Sequence, residues 1–212
     1  YAALAAETTL AFTTREGVHI TLSAICNSAI AAGHLKYNPC FHSFSYAAQP
    51  EPSPILTTQQ VKQFLACLAE EHPKHRLYYT LLIATGLRRA ECLALQWQDI
   101  NWQTKSLTVA HRVAAVRGEA ARLLPVKPVS ATLSAPLAQA LNAYQITQNK
   151  EDGFIFAQPN GAPMMPSSFT YRLRLIRQKH GVAHITTDSL YRYHQAMRRQ
   201  MSLAKLQKKL GV

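Results

Sequence analysis

Acidic residues are scarce in this sequence. Eleven Asp and Glu stand against 23 Lys and Arg over 212 residues, a formal net charge of +12. That shortage leaves a positive excess that attracts a polyanion, most often nucleic acid. Cysteine is sparse too: Cys26, Cys40, Cys67 and Cys92 lie far apart and form no CxxC pair. The spacing argues against both a disulfide framework and a zinc site, and the nine histidines are scattered. No metal and no cofactor is therefore expected. Long apolar runs are missing as well, because Arg or Lys interrupts each one, so no transmembrane helix is expected. No charged start precedes an apolar core, so no signal peptide is read, and the expected compartment is the cytoplasm. There is no internal repeat. The chain opens on Tyr1 rather than Met, which fits a trimmed or partial product.

What the chain does have is an apolar fraction of 48%, ordinary for a folded protein and too high for disorder. Its length suits one medium domain, or one with a small companion. Residues 18–32 place Ile20, Ala24, Cys26 and Ala31 at roughly helical spacing, with Gly33 as a C-cap and Asn38–Pro39 as a stop. Residues 41–56, with Pro50, Pro52 and Pro54, read as a linker. Thr57 and Gln60 form a capping box that opens a helix with Val61, Phe64, Leu65 and Leu68 on one face. Residues 76–96 read as helix, break at Gly86, helix. Beyond Asp99 the period changes. Ser106–Val113 and Ala121–Val126 have strand composition, with a hairpin turn at Arg117–Gly118 and a further short strand near Thr132–Ala135.

The helical pattern returns at Pro136–Ile146. Gly153–Phe156 is a short apolar stretch, and Asn160–Gly161 marks a turn. Three helices close the chain: one capped by Ser167 or Ser168 and running to Gly181, then Ser189–Arg199, then Ser202–Leu210. The expected fold class is mainly α with a small antiparallel β-sheet (α+β).

Residues 85–102, TGLRRAECLALQWQDINW, resemble the first conserved box of the tyrosine recombinases, the phage-integrase family. VKPVSATLSAPL (126–137) is similar to the family's lysine-bearing β-hairpin, and GFIFAQPNGAPMMPSSFTYRLR to the stretch before its second box. ITTDSLYRYHQAMRRQMSLAKLQKKLGV lies where the second and third boxes belong. Upstream, LSAICNSAIAAGHLKYNPC resembles the end of the helical core-binding domain. The resemblance implies a tyrosine recombinase catalytic-domain fold preceded by part of that helical domain. The corresponding division is 1–48 for the partial core-binding (SAM-like) domain with the start of the linker, and 49–212 for the catalytic domain without its nucleophile segment. It further implies double-stranded DNA as partner, a homo-oligomer assembled on it, and strand exchange through a 3′-phosphotyrosine. In that chemistry two arginines and a histidine or tryptophan stabilise charge on the phosphate, and a lysine protonates the leaving oxygen.

Carried over residue by residue, Arg88 matches the first catalytic arginine, with Glu91 three residues on as a group to hold its guanidinium. The structural alternative is a surface pair worth a few tenths of a kcal/mol. Lys127 matches the hairpin lysine, although Pro128 follows where the family has a polar residue. The second box departs from His-x-Leu-Arg-His. It reads Asp188-Ser189-Leu190-Tyr191-Arg192, with a carboxylate at the histidine position and a phenol at the second arginine position. Arg192 is one residue off, about 100° around a helix, and His194 is further off still. The third box ends at Leu210-Gly211-Val212, ahead of the family's tyrosine. Tyr191 and Tyr193 read as core or groove-wall aromatics.

Cations cluster near the end of the chain. Arg89, Arg172, Arg174, Arg177, Lys179 and Arg192 are candidate DNA contacts on helices able to track phosphates or enter a groove. The alternative is an ordinary solvated face. The reading is a DNA-binding member of the family with little or no strand transfer. The competing readings are an active recombinase with a nucleophile beyond residue 212, and a protein-interaction module on the same fold.

Overall fold

The computed structural model describes residues 12–41, 54–114, 121–149, 151–182 and 184–212. The chain divides at Pro54/Ile55 into two compact units.

The first unit is built on one helix, α1 (Phe12–Ala31), which starts a turn and a half ahead of the residues whose spacing announced it. Gly33, at φ +77°, carries the chain away from the helix end; a side chain there meets strain that glycine escapes. Asn38 then folds the chain back. Its amide donates to Ser23 Oγ (2.9 Å) and Asn27 Oδ1 (2.8 Å), and its own Oδ1 accepts from the Cys40 amide at 2.9 Å.

The second unit opens with α2 (Thr58–Cys67), closed by the expected capping box: Gln60 N–H donates to Thr57 Oγ1, and Thr57 N–H to Gln60 Oε1. Val61 and Phe64 turn fully inward. Leu56, placed in the linker by its sequence neighbours, packs into the core. Residues 42–53, most of that linker, lie outside the described residues. A single 3-10 turn (Leu68–Glu70) leads to α3 (Pro73–Thr85), which ends at Gly86 in the left-handed region, φ +71°. The short α4 (Arg89–Cys92) follows, and a second 3-10 turn (Trp97–Asp99) leads into the sheet.

The sheet is three-stranded and antiparallel in the order β1 (Ile100–Asn101), β2 (Ser106–Ala114), β3 (Arg122–Thr132). Period-2 alternation turns Leu107, Val109, Val113 and Ala131 inward. The strand expected at Thr132–Ala135 does not form separately. β3 itself runs on to Thr132, and Ser134 then caps α5 (Ala135–Gln148) by accepting the Leu137 amide. The turn expected at Arg117–Gly118 lies outside the described residues.

Three helices follow: α6 (Pro166–His180), α7 (Thr187–Gln200) and α8 (Leu203–Leu210). Neither Ser167 nor Ser168 caps α6. Met165 takes the N-cap position and Pro166 the first turn, because proline's fixed φ already fits a helix start and its missing N–H is no loss there. Thr186 and Ser189 cap α7 reciprocally, and Ser202 caps α8.

An aromatic cluster ties these layers together. Tyr78 stacks on Phe169 (centroids 3.9 Å apart) and meets Phe156 edge-on, while the Tyr79 hydroxyl donates to Phe169 O at 2.6 Å. Each ring buried here contributes about 1.5–3 kcal/mol.

His75 packs edge-on to Phe169 at 5.3 Å. Burial, and then the charge of Arg172, push its imidazole down from 6.5 to about 4. The unfolded chain therefore binds a proton that the folded chain refuses between those two values. Folding stability is expected to fall by about 1–2 kcal/mol as pH drops from about 6.5 to 4, allowing for the water that reaches the ring. Urea unfolding of the protein and of His75→Phe across this window checks it. The substituted chain is expected to lack that part of the slope.

Candidate functional site

Arg88 stands at the turn between α3 and α4, and its side chain is 71% exposed. Its backbone is not loose. Glu91, 6% exposed, accepts the Arg88 N–H on Oε2 at 2.8 Å and closes the first turn of α4. The other carboxylate oxygen lies 3.7 Å from Arg88 Nη1. Glu91 thus anchors the main chain firmly and the guanidinium lightly, where the sequence suggested a grip on the guanidinium alone. The guanidinium also lies 5.7 Å from the ring centroid of Tyr191 on α7, within cation–π range.

Two clefts meet at Arg88. One, of about 690 Å³, is lined by Arg88, Ala90, Glu91, Arg112 and the Val126–Val129 segment of β3. The other, of about 470 Å³, is lined by Leu87 to Ala90 together with Thr186, Thr187, Asp188 and Tyr191.

Lys127 reaches the first cleft through an irregularity in the sheet. Val109 pairs with Val129 and His111 with Pro125, so three residues of β3, Val126 to Pro128, face the single Ala110 of β2. Pro125 and Pro128 carry no N–H, and a ladder cannot run regularly past two missing donors. The resulting bulge bends the strand and carries Lys127, exposed, to the cleft wall. Arg112 on β2 lines the same cleft. Sequence reasoning passed it over, because only the strand register shows which residues of β2 stand near Lys127.

The other sequence-nominated cations separate by partner. Arg89 lines the second cleft and donates to Thr170 on α6 at 3.2 Å. Arg174 lies over the exposed ring of Tyr171 at 4.9 Å. Arg177 sits half-buried in the last turn of α6, where a cation complements the helix dipole. Arg172 Nε donates to the buried carboxylate of Glu71 at 2.8 Å, and Lys179 pairs with Glu70 at 2.7 Å. Arg192 Nε lies 2.9 Å from Asp188 Oδ2, one helical turn back. The structure brings Arg88, Arg89 and Lys127 to the joined clefts and gives Arg172, Lys179 and Arg192 carboxylate partners. Tyr191 forms part of the cleft wall, and Tyr193 is fully buried, its hydroxyl 3.2 Å from Thr58 Oγ1.

Among the described residues no group of His, Cys, Asp or Glu is arranged to hold a metal ion, and no helix is long and apolar enough to cross a membrane.

Residues 54–211 match the model of the phage integrase family, and the chain belongs to that family, the tyrosine recombinases. It is 30% identical over 95 residues to the ICEBs1 integrase of Bacillus subtilis, covering 45% of this chain and 26% of that one. It is 28% identical over 140 residues to the prophage integrase IntF of Escherichia coli, covering 65% and 28%. The chain thus spans about a quarter of the length of each of these relatives. Its fold is similar to that of the Tn1549 transposon integrase in complex with a circular intermediate DNA (TM-score 0.75, 20% identity, 97% of this chain and 73% of that one). It is also similar to a λ integrase dimer bound to a COC′ core site (TM-score 0.60, 17% identity, 94% and 72%).

Truncating Glu91 leaves the Arg88 amide without its acceptor. Glu91→Ala is expected to lower unfolding free energy by about 1–2 kcal/mol, and Glu91→Gln, which keeps an acceptor oxygen, by less than half of that. Denaturant titration of the two variants beside the parent measures the difference.

Proposed function

We propose that this chain is a cytoplasmic double-stranded-DNA-binding protein that grips a backbone phosphate at Arg88 and carries out little or no strand transfer. The observation that carries this reading is the placing of Arg88. Its side chain is open to solvent, its backbone is fixed by Glu91, and it lies between two clefts that also receive Lys127, Arg112 and Arg89. A planar guanidinium matches two phosphate oxygens at once. The neighbouring ammonium and guanidinium groups add charge that favours a polyanion. Arg174 and Arg177 extend the contact along α6. Arg172, Lys179 and Arg192 contribute less, since a carboxylate already answers each of them. The DNA-bound λ integrase is a dimer, and more than one copy on a duplex is the assembly expected here.

Weak chemistry follows from what fills the second cleft. Asp188 and Tyr191 stand at the family's histidine and second-arginine positions. Asp188, already paired with Arg192, brings no proton donor, and a phenol brings no cation to the negative charge that builds in the transition state. Loss of a single stabilising donor typically costs about 10²–10³ in rate, and two are replaced here. Tyr191 instead backs Arg88 with an aromatic ring. That arrangement suits holding a phosphate better than cleaving beside one.

Affinity for a duplex, measured by fluorescence anisotropy at several salt concentrations, is expected to fall steeply with log salt. Arg88→Ala is expected to lower the slope by about 1 and to weaken binding similarly on every sequence. A salt-independent affinity would support the protein-interaction module instead. On a nicked suicide substrate no covalent protein–DNA adduct is expected. An adduct that disappears in Arg88→Ala would establish an active recombinase.

A further inference from the structure

The turn that carries Arg88 is held from beneath by a residue two positions past the Asp188–Arg192 segment. His194, on α7, is 3% exposed. Its Nδ1–H donates to the carbonyl of Ile83, in the last turn of α3, at 2.8 Å. The same imidazole packs against Gly86: a Cβ on that glycine would come within 2.2 Å of His194 Cδ2 and 2.5 Å of Nε2. Gly86 is thus required twice, once for its φ of +71° and once for the ring beneath it. Two residues further along the chain is Arg88. Tyr191, three residues before His194 and so on the same side of α7, stands 5.7 Å from the Arg88 guanidinium. One helix therefore supports both ends of this residue, its backbone through His194 and its charged group through Tyr191.

We infer that His194 is a positioning residue for Arg88: it fixes the α3–α4 turn so that the guanidinium is presented to a phosphate already oriented. This rests on the reading of Arg88 as a phosphate contact. A flexible arginine on an unsupported turn loses rotamer and backbone freedom on binding, and a turn ordered beforehand lowers that cost. His194 touches neither DNA nor Arg88 itself; it acts through Ile83 and Gly86.

A double-mutant cycle tests the inference. His194→Leu fills the space but donates nothing to Ile83. His194→Asn places an amide N–H near the position of Nδ1. Each is made alone and together with Arg88→Ala, and duplex affinity is measured at one salt concentration. Arg88→Ala alone is expected to weaken binding about tenfold, as loss of a charge-assisted hydrogen bond does. His194→Leu is expected to give much of the same loss, His194→Asn to recover most of it, and neither to weaken binding further once Arg88 is gone. If the losses multiply instead, His194 serves the general fold and the inference is wrong, while the phosphate reading of Arg88 stands. If Arg88→Ala leaves affinity and salt slope unchanged, both fall. Thermal melting shows which variants are folded. Should His194→Leu not fold, His194→Phe, which keeps a planar ring beside Gly86 but donates nothing to Ile83, takes its place in the cycle with the same expected non-additivity.

Discussion

The end of α3 is the constraint on which the rest depends. A helix leaves its last carbonyls without partners inside the helix, and a buried carbonyl without a donor is costly. Here three successive carbonyls are answered from three directions. Leu82 accepts from the Gly86 amide, Ile83 from His194 on α7, and Ala84 from Gln207 on α8 at 3.3 Å. Gln207 also donates to Thr132 at the end of β3, at 2.8 Å. A local problem of unsatisfied polar groups is thereby solved with long-range partners. The solution locks α3, α7, α8 and the sheet around the one turn that exposes Arg88. The same residues that satisfy the helix end define where the positive charge stands.

That construction explains how a site with exposed charges is held in place. None of the cations at the clefts is itself buried. Two are borne by backbone that is itself fixed, Arg88 by Glu91 and the α3 terminus and Lys127 by the proline-bounded bulge, while the Arg89 guanidinium is held directly by Thr170. Charge stays in contact with water, where it costs little, and at Arg88 the precision comes from buried neutral groups beneath the turn, His194 and Gln207. Glu91 is the exception. It is a buried carboxylate whose backbone hydrogen bond compensates its desolvation.

Much of this was legible in the sequence. The Thr57–Gln60 box, the glycine breaks at 33, 86, 181 and 211, and the change of period after Asp99 carry enough local chemistry to place most elements. Helix starts without a polar cap were harder: α6 begins on Pro166, and two nearby serines drew the boundary wrongly. The sequence nominated Arg88 and Lys127 through their resemblance to the family's motifs, and the fold brings both to one cleft. The site was not legible at Arg112, whose position depends on strand register, nor at His194, whose partner Ile83 is 111 residues away in sequence. The ion pairs that occupy Arg172 and Lys179 have the same origin, since Glu71 and Glu70 reach them only through the fold. Local pattern records what a residue can do; the long-range contact decides which of those things it does.

A structure of this protein bound to a short duplex would test the central claim most directly. The Arg88 guanidinium is expected within hydrogen-bonding distance, about 3 Å, of a backbone phosphate that lies between the two clefts, with the Tyr191 ring still beside the guanidinium. A complex in which the duplex lies along another face, and Arg88 points into solvent, would contradict it.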